Sequence, residues 1–125
     1  MNIEIKNIDT SKLDLGLRHD YIPAILGNDK ADEKNQVVFD VEYFGVGERL
    51  GYTKLDNEGD AALDFRKIFL KKVKGIRGFV INGKPVTTSE AFLKYPGTPT
   101  MEALMNDVVI HIVKADELTE DEAKN

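Results

Sequence analysis

Between Val37 and Phe44 the chain alternates apolar and polar residues with period two. Val37, Phe39, Val41 and Tyr43 share one face and Asp40 and Glu42 the other, which predicts a half-buried β-strand ended by Gly45 and Gly47. Ile3 and Ile5 alternate in the same way and predict a short strand. From Asn7 to Gln36 the pattern is irregular. Leu13, Leu15 and Leu17 alternate, Pro23 interrupts an apolar run, and Gly27 to Asp32 reads as a polar loop, so residues 1–36 read as an arm, partly mobile or ordered only on a partner. Glu48 to Leu55 fits either a strand returning antiparallel or a helical turn, and the cluster from Asp56 to Asp60 breaks the chain.

The period then changes. Ala61, Phe65, Ile68, Phe69, Val73 and Ile76 recur at helical spacing with Lys67, Lys71 and Lys74 opposite, predicting an amphipathic helix from Ala61 to Gly75 with Asp60 as its cap. Lys71, Lys72 and Lys74 complement the dipole at its end, and Gly75 stops it. Asn82-Gly83 between short apolar flanks predicts a hairpin over Phe79 to Val86, with Pro85 restricting the second arm to an edge or a very short strand. Thr87 and Glu90 have the spacing of a capping box, opening a short helix over Ser89 to Lys94 with Phe92 and Leu93 inward.

Pro96-Gly97-Thr98-Pro99 ends that helix, and Thr100 is placed to cap another. In it Met101, Leu104, Met105, Val108, Ile112 and Ala115 form one stripe. Val109, Ile110 and Val113 lie outside the stripe, so Val108 to Val113 also fits a strand; the Met101-to-Met105 spacing favours helix. The elements together predict an α+β fold, a small antiparallel sheet from the N-terminal half covered on one face by two longer C-terminal helices and a short one. Residues 1–117 read as one domain and 118–125 as an acidic tail, in which Thr119 and Glu122 fit a further cap while like charge favours a loose segment.

A chain of 125 residues, 42% hydrophobic, supports a single core. The net charge of -5 is concentrated at the end, where Asp116, Glu117, Glu120, Asp121 and Glu122 face only Lys124. Arg66, Lys67, Lys71, Lys72, Lys74 and Arg77 form the one basic cluster. With a pI near 5.0 the chain as a whole lacks the broad positive surface that nucleic-acid binding draws on, and the cluster reads as a solvated helix face. Without cysteine the fold stands on packing alone, which suits a reducing compartment. No apolar run approaches a membrane span, and the first residues lack the pattern of a signal peptide, so a soluble cytosolic protein with no membrane contact is expected.

Candidate chemistry is sparse. His19 and His111 alone give no histidine or thiolate metal cage; His111 reads as a packed imidazole beside the apolar stripe and His19, between Arg18 and Asp20, as a surface residue. Asp29, Asp32 and Glu33 lack the order of a calcium loop, and the Gly45 and Gly75 to Gly78 glycines lack the rest of a phosphate-binding motif. Ser11 and Ser89 have no flanking glycines to form a nucleophile elbow. No catalytic, cofactor or metal residues are therefore expected, and the chain reads as a non-enzyme without cofactors.

Phe65-Arg66-Lys67-Ile68-Phe69-Leu70-Lys71-Lys72-Val73-Lys74-Gly75-Ile76, followed by Ile81-Asn82-Gly83-Lys84-Pro85-Val86-Thr87-Thr88 and closed by Leu118-Thr119-Glu120-Asp121-Glu122-Ala123-Lys124-Asn125, resembles small tail proteins of tailed bacteriophages and prophages. The likeness covers roughly the C-terminal half. It is nearest to the tail assembly chaperone type and implies a morphogenesis factor binding a tape-measure or tail-tube protein in the host bacterial cytoplasm. The alternative is a structural virion subunit, a minor tail or head-tail adaptor protein, self-assembling as a homo-oligomer in which the Val37 to Phe44 strand and the N-terminal arm pair with neighbouring subunits by edge addition. A chaperone needs apolar surface beyond its own core, and Val109, Ile110, Val113 and Leu118, close to the acidic tail, are the candidate partner-binding residues. The competing expectation is that Val109, Ile110 and Val113 pack under the N-terminal strands or in a self-dimer.

Overall fold

The computed structural model describes residues 18–124, and side chains as far as residue 115. The strand expected at Ile3 and Ile5, and the Leu13 to Leu17 alternation, lie outside the described residues. The fold is α+β, as the hydrophobic pattern predicts. Its main sheet has three antiparallel strands in the order β1-β2-β5: β1 is Arg18–Tyr21, β2 is Val38–Glu42 and β5 is Val73–Arg77.

The strand predicted from Val37 forms as β2, with Phe39 and Val41 wholly buried. It is the middle strand, registered Arg18↔Glu42 to Tyr21↔Phe39 on one side and Phe39↔Ile76 and Val41↔Val73 on the other. Both its edges are therefore occupied, which rules out the expected edge addition through this strand. The arm is in part ordered within the chain itself: β1 is an edge strand, and two 3-10 turns, Ile25–Lys30 and Glu33–Asn35, bridge it to β2.

Glu48 to Leu55 forms a 3-10 turn (Glu48–Tyr52), as one alternative had it, and then β3 (Thr53–Leu55), a strand that does not return along β2. β3 pairs with β4 (Ala61–Leu63) across the acidic cluster, where the Asp56 carboxylate accepts from the amides of Glu58 and Asp60, each at 2.9 Å. Because Ala61 to Leu63 pair as a strand, the helix predicted from Ala61 starts later. It is α1, Phe65–Lys72, and its cap is Asp64, which accepts from the Lys67 amide at 3.2 Å, instead of Asp60. Its predicted end is also shorter, because β-branched Val73 and Ile76 turn extended and bury themselves against β2.

The Asn-Gly hairpin forms as expected between β6 (Val80–Ile81) and β7 (Lys84–Pro85), with Asn82 at φ 52° and Gly83 at φ 78°. Just before it, Gly78 sits at φ 74° against the Gln36 carbonyl, where a Cβ would fall 2.0 Å from that oxygen. The next helix, α2 (Ser89–Leu93), is capped by Thr88 Oγ1, which accepts from the Ala91 amide, one residue later than the Thr87 box implies. α3 runs Pro99–Lys124 with Thr98 as the capping side chain in place of Thr100, and Pro99 in the first helical position. Val108 to Val113 is thus helical, and the acidic residues 118–124 continue the same helix.

Among the described residues three helices cover one face of the sheet. Phe39, Val41, Ile68, Phe69, Ile76, Phe92, Val108 and Ile112 form the centre of the core, with Phe92 packed 4.7 Å from Phe69 and 6.3 Å from Phe39 between ring centroids. The opposite face is charged. Asp20 and Asp40 stand directly across from one another, a destabilising juxtaposition. Each is offset by an arginine: Arg18 binds Asp40 in bidentate fashion at 2.6 and 2.9 Å, and Arg77 donates to Asp20. The Arg18 hydrogen bond, followed by its charge, holds the Asp40 carboxyl below the usual carboxylate range.

Candidate functional site

Period-two alternation in β1 turns Arg18 and Asp20 outward and His19 and Tyr21 toward the helices. Tyr43, two residues beyond Val41, falls on that same side. From above, α3 brings down Asp107 and His111, four residues apart and hence on one helical face. The result is a half-buried polar cluster between sheet and helix.

Three atoms meet at its centre. His19 Nε2 lies 3.0 Å from His111 Nε2 and 2.8 Å from Tyr43 Oη, and Tyr43 Oη lies 3.1 Å from His111 Nε2. Tyr21 stacks on His111 with centroids 3.9 Å apart and planes at 11°, while its hydroxyl donates to Asp107 at 2.9 Å. The stack and the Asp107 bond fix the plane of His111 and aim its Nε2 at the other two. Burial lowers the His111 pKa, helped by His19 and opposed by Asp107. Burial and the hydrogen bond to Asp107 push the Tyr21 phenol up to about 12. His111 is packed as the sequence implies; His19 is no surface residue, because its strand partner Val41 faces the core and takes His19 with it.

The basic cluster is dispersed into partnerships. Lys72, 3% exposed, reaches Glu48 at 2.6 Å and Glu42 at 3.2 Å. Lys74 lies 3.9 Å from Glu42, Lys67 Nζ donates to the Gly51 carbonyl at 3.1 Å, and Arg66 donates to the Leu93 carbonyl at 3.3 Å. Burial alone would lower the Lys72 pKa, but hydrogen bonds from its ammonium to Glu48 and Glu42 outweigh it and raise the value. Ser89 is buried, with its hydroxyl donating to the Leu70 carbonyl at 3.0 Å.

Of the residues expected to bind a partner, Val109 is wholly buried and Val113 nearly so, whereas Ile110 is 41% exposed. α3 packs against both α1 and β2, so its buried face is wide enough to absorb Val109 and Val113. This corrects their assignment as surface and agrees with the competing expectation that they pack under the strands. Leu118 has its side chain outside the described residues. The large apolar side chains that do face water are elsewhere, chiefly Leu26, Val46, Leu50 and Leu55. Leu50 lines a groove of ≈ 530 Å³ with Thr53, Ala61, Ala62 and Leu63.

Leu26 is 88% exposed and holds φ 55°, a left-handed conformation costly for a leucine. Its loop is pinned by Asn28, whose Nδ2 donates to the Pro23 and Val37 carbonyls at 2.8 and 2.9 Å and whose Oδ1 accepts from the Val37 amide at 2.7 Å. Such residues escape sequence reading because no periodicity marks them: Leu26 ends an apolar run broken by Pro23, and Val46, Leu50 and Leu55 stand singly among glycines and charges. No family model matches the chain, and neither a curated protein nor a solved structure shows significant similarity to it.

Proposed function

We propose that this chain is a non-enzymatic phage morphogenesis factor, a tail assembly chaperone that binds a tape-measure or tail-tube protein in the host cytoplasm. The observation that carries the reading is the set of large apolar side chains held in water, Leu26 above all, whose strained backbone is kept in place by the Asn28 anchor. Displaying apolar surface on a charged, acidic body is what a protein needs to shield an aggregation-prone partner while staying in solution. The phage setting comes from the resemblance of residues 65–76, 81–88 and 118–125. Co-expression with the product of a neighbouring tape-measure or tail-tube gene tests it. Soluble co-purification is expected, reduced in a Leu26→Ser, Leu50→Ser, Leu55→Ser variant that melts at the wild-type temperature. A wild-type chain that neither binds nor solubilises either product overturns the reading.

The alternative, a virion subunit that self-assembles, draws support from β1, which belongs to the N-terminal arm, and none from β2, whose edges are both paired. No described strand pairs with the outer edge of β1, so its backbone groups offer a template for strand addition. Self-association in sedimentation at high concentration, and recovery in purified particles, would favour it over the chaperone.

A further inference from the structure

The triangle of His19, Tyr43 and His111 poses a problem in proton counting. A neutral imidazole presents at Nε2 either one proton or one lone pair, and a phenol brings one proton. If both Nε2 atoms carry protons, two N–H groups collide across 3.0 Å. If neither does, two lone pairs face each other there. With one of each, two protons must serve three contacts of 2.8, 3.0 and 3.1 Å. No arrangement of protons makes all three good hydrogen bonds, whereas a cation at the centre uses every lone pair.

We infer that His19 Nε2, His111 Nε2 and Tyr43 Oη form a three-ligand site for a divalent first-row transition ion, zinc-like in its preference for imidazole. Ligand atoms at 2.0–2.1 Å from zinc lie about 3.3 Å apart in a tetrahedral site, and about 2.9 Å apart at adjacent octahedral positions. The observed contacts bracket the octahedral spacing and reach the tetrahedral one by opening a few tenths of an ångström. Three protein ligands leave a fourth position for water. Among the described residues no group of three His, Cys, Asp or Glu could hold a metal ion, so the site stands on two imidazoles and the Tyr43 phenol alone.

The surroundings suit the task. The ligands come from β1, from the residue that follows β2 and from α3, so the site is assembled by tertiary structure. Tyr21 stacks on His111, and its own hydroxyl is held by Asp107, so the imidazole plane is fixed by packing from the side away from the triangle. Binding moves the His19 and His111 protons to Nδ1 and, where the phenol binds as phenolate, releases one proton to solvent, so affinity falls with falling pH.

The test is titration of tag-free, chelator-treated protein with Co(II), read by visible absorption. The expected result is one equivalent bound with ligand-field bands, displaced by Zn(II), and a zinc-dependent rise in melting temperature. His19→Ala, His111→Ala and Tyr43→Phe should each weaken binding by roughly tenfold or more. Tyr43→Phe keeps the ring and the packing, so it decides the matter if a histidine variant fails to fold. Absence of a cobalt spectrum in the wild type, or equal affinity in Tyr43→Phe and wild type, overturns the site and leaves a polar cluster only. The result is independent of whether a phage partner is found.

Discussion

Replacing Lys72 by methionine keeps the length of the side chain and removes the charge that lies between two carboxylates. Taking away one member of a buried ion pair costs about 3–5 kcal/mol when the orphaned partner stays buried. Glu42 and Glu48 are 36% and 38% exposed, so water re-solvates both once the ammonium is gone. Glu48 also keeps the Gly45 amide, which donates to it at 2.8 Å. The methionine stem fills the space beside Phe44, over which the Lys72 ammonium now stands at 5.7 Å from the ring centroid. These offsets reduce the expected loss to about 1–2 kcal/mol. For a chain of this size that is a fall of roughly 4–8 °C in melting temperature.

The same pair has a pH signature. Burial pushes the Glu48 carboxyl up, but hydrogen bonds from Lys72 and the Gly45 amide outweigh it and hold the pKa below its ordinary 4.5. A depressed carboxylate contributes stability that is present above the ordinary pKa and lost as pH falls through the folded value. Lys72→Met should therefore differ most from wild type near neutrality and converge with it in acid. Melting followed by far-UV circular dichroism from neutral to acid pH measures both effects. A variant as stable as wild type at neutral pH, or a deficit unchanged in acid, refutes the assignment of Lys72 as an energetically important buried pair.

Gly78→Ala should destabilise by about 2 kcal/mol or more, because φ 74° and a Cβ placed 2.0 Å from the Gln36 oxygen act together; urea denaturation reads it, and a wild-type midpoint contradicts it. Asn28→Ala strands three backbone groups and should cost about 1–3 kcal/mol, with faster proteolysis between residues 22 and 36 as the local readout. Since His111 has a pKa depressed from 6.5, it contributes stability that is present above 6.5 and lost as pH falls through its folded value. Urea midpoints should decline across the mildly acidic range above the carboxylate titrations, and His111→Gln should flatten that slope; an unchanged slope in the variant would count against it.

Much of the fold was legible where one local pattern had one outcome. The alternation around Phe39 and Val41 and the Asn82-Gly83 turn both formed as read. Reading failed where two patterns coincide. Phe65, Ile68, Phe69, Val73 and Ile76 satisfy helical spacing throughout, yet the last two belong to β5, because pairing with β2 buries Val73 and Ile76 better than another helical turn would. The cap moved from Asp60 to Asp64 for a related reason: β3 recruits Ala61 to Leu63, a partnership set by residues on the far side of the acidic turn. Each cap shift is small in sequence and follows from where a neighbouring strand or turn ends.

The polar clusters were less legible because topology alone assembles them. His19 and His111 are separated by 92 positions, and Lys72 lies 30 from Glu42 and 24 from Glu48. A local signal for His19 did exist. Arg18, His19, Asp20 and Tyr21 alternate charged and aromatic residues, a period-two pattern that turns His19 to the same side as Tyr21 once the stretch is taken as a strand. Taken as part of an arm, the flanking charges of Arg18 and Asp20 point to solvent instead. Those charges face the outer side of the sheet, each answered across a strand, by Asp40 and Arg77. Electrostatic pairing on one face and aromatic packing on the other therefore specify the same register, and a slip of one residue would bury Arg18 and Asp20 while exposing His19 and Tyr21. That double constraint is what holds the first imidazole of the triangle in reach of the second.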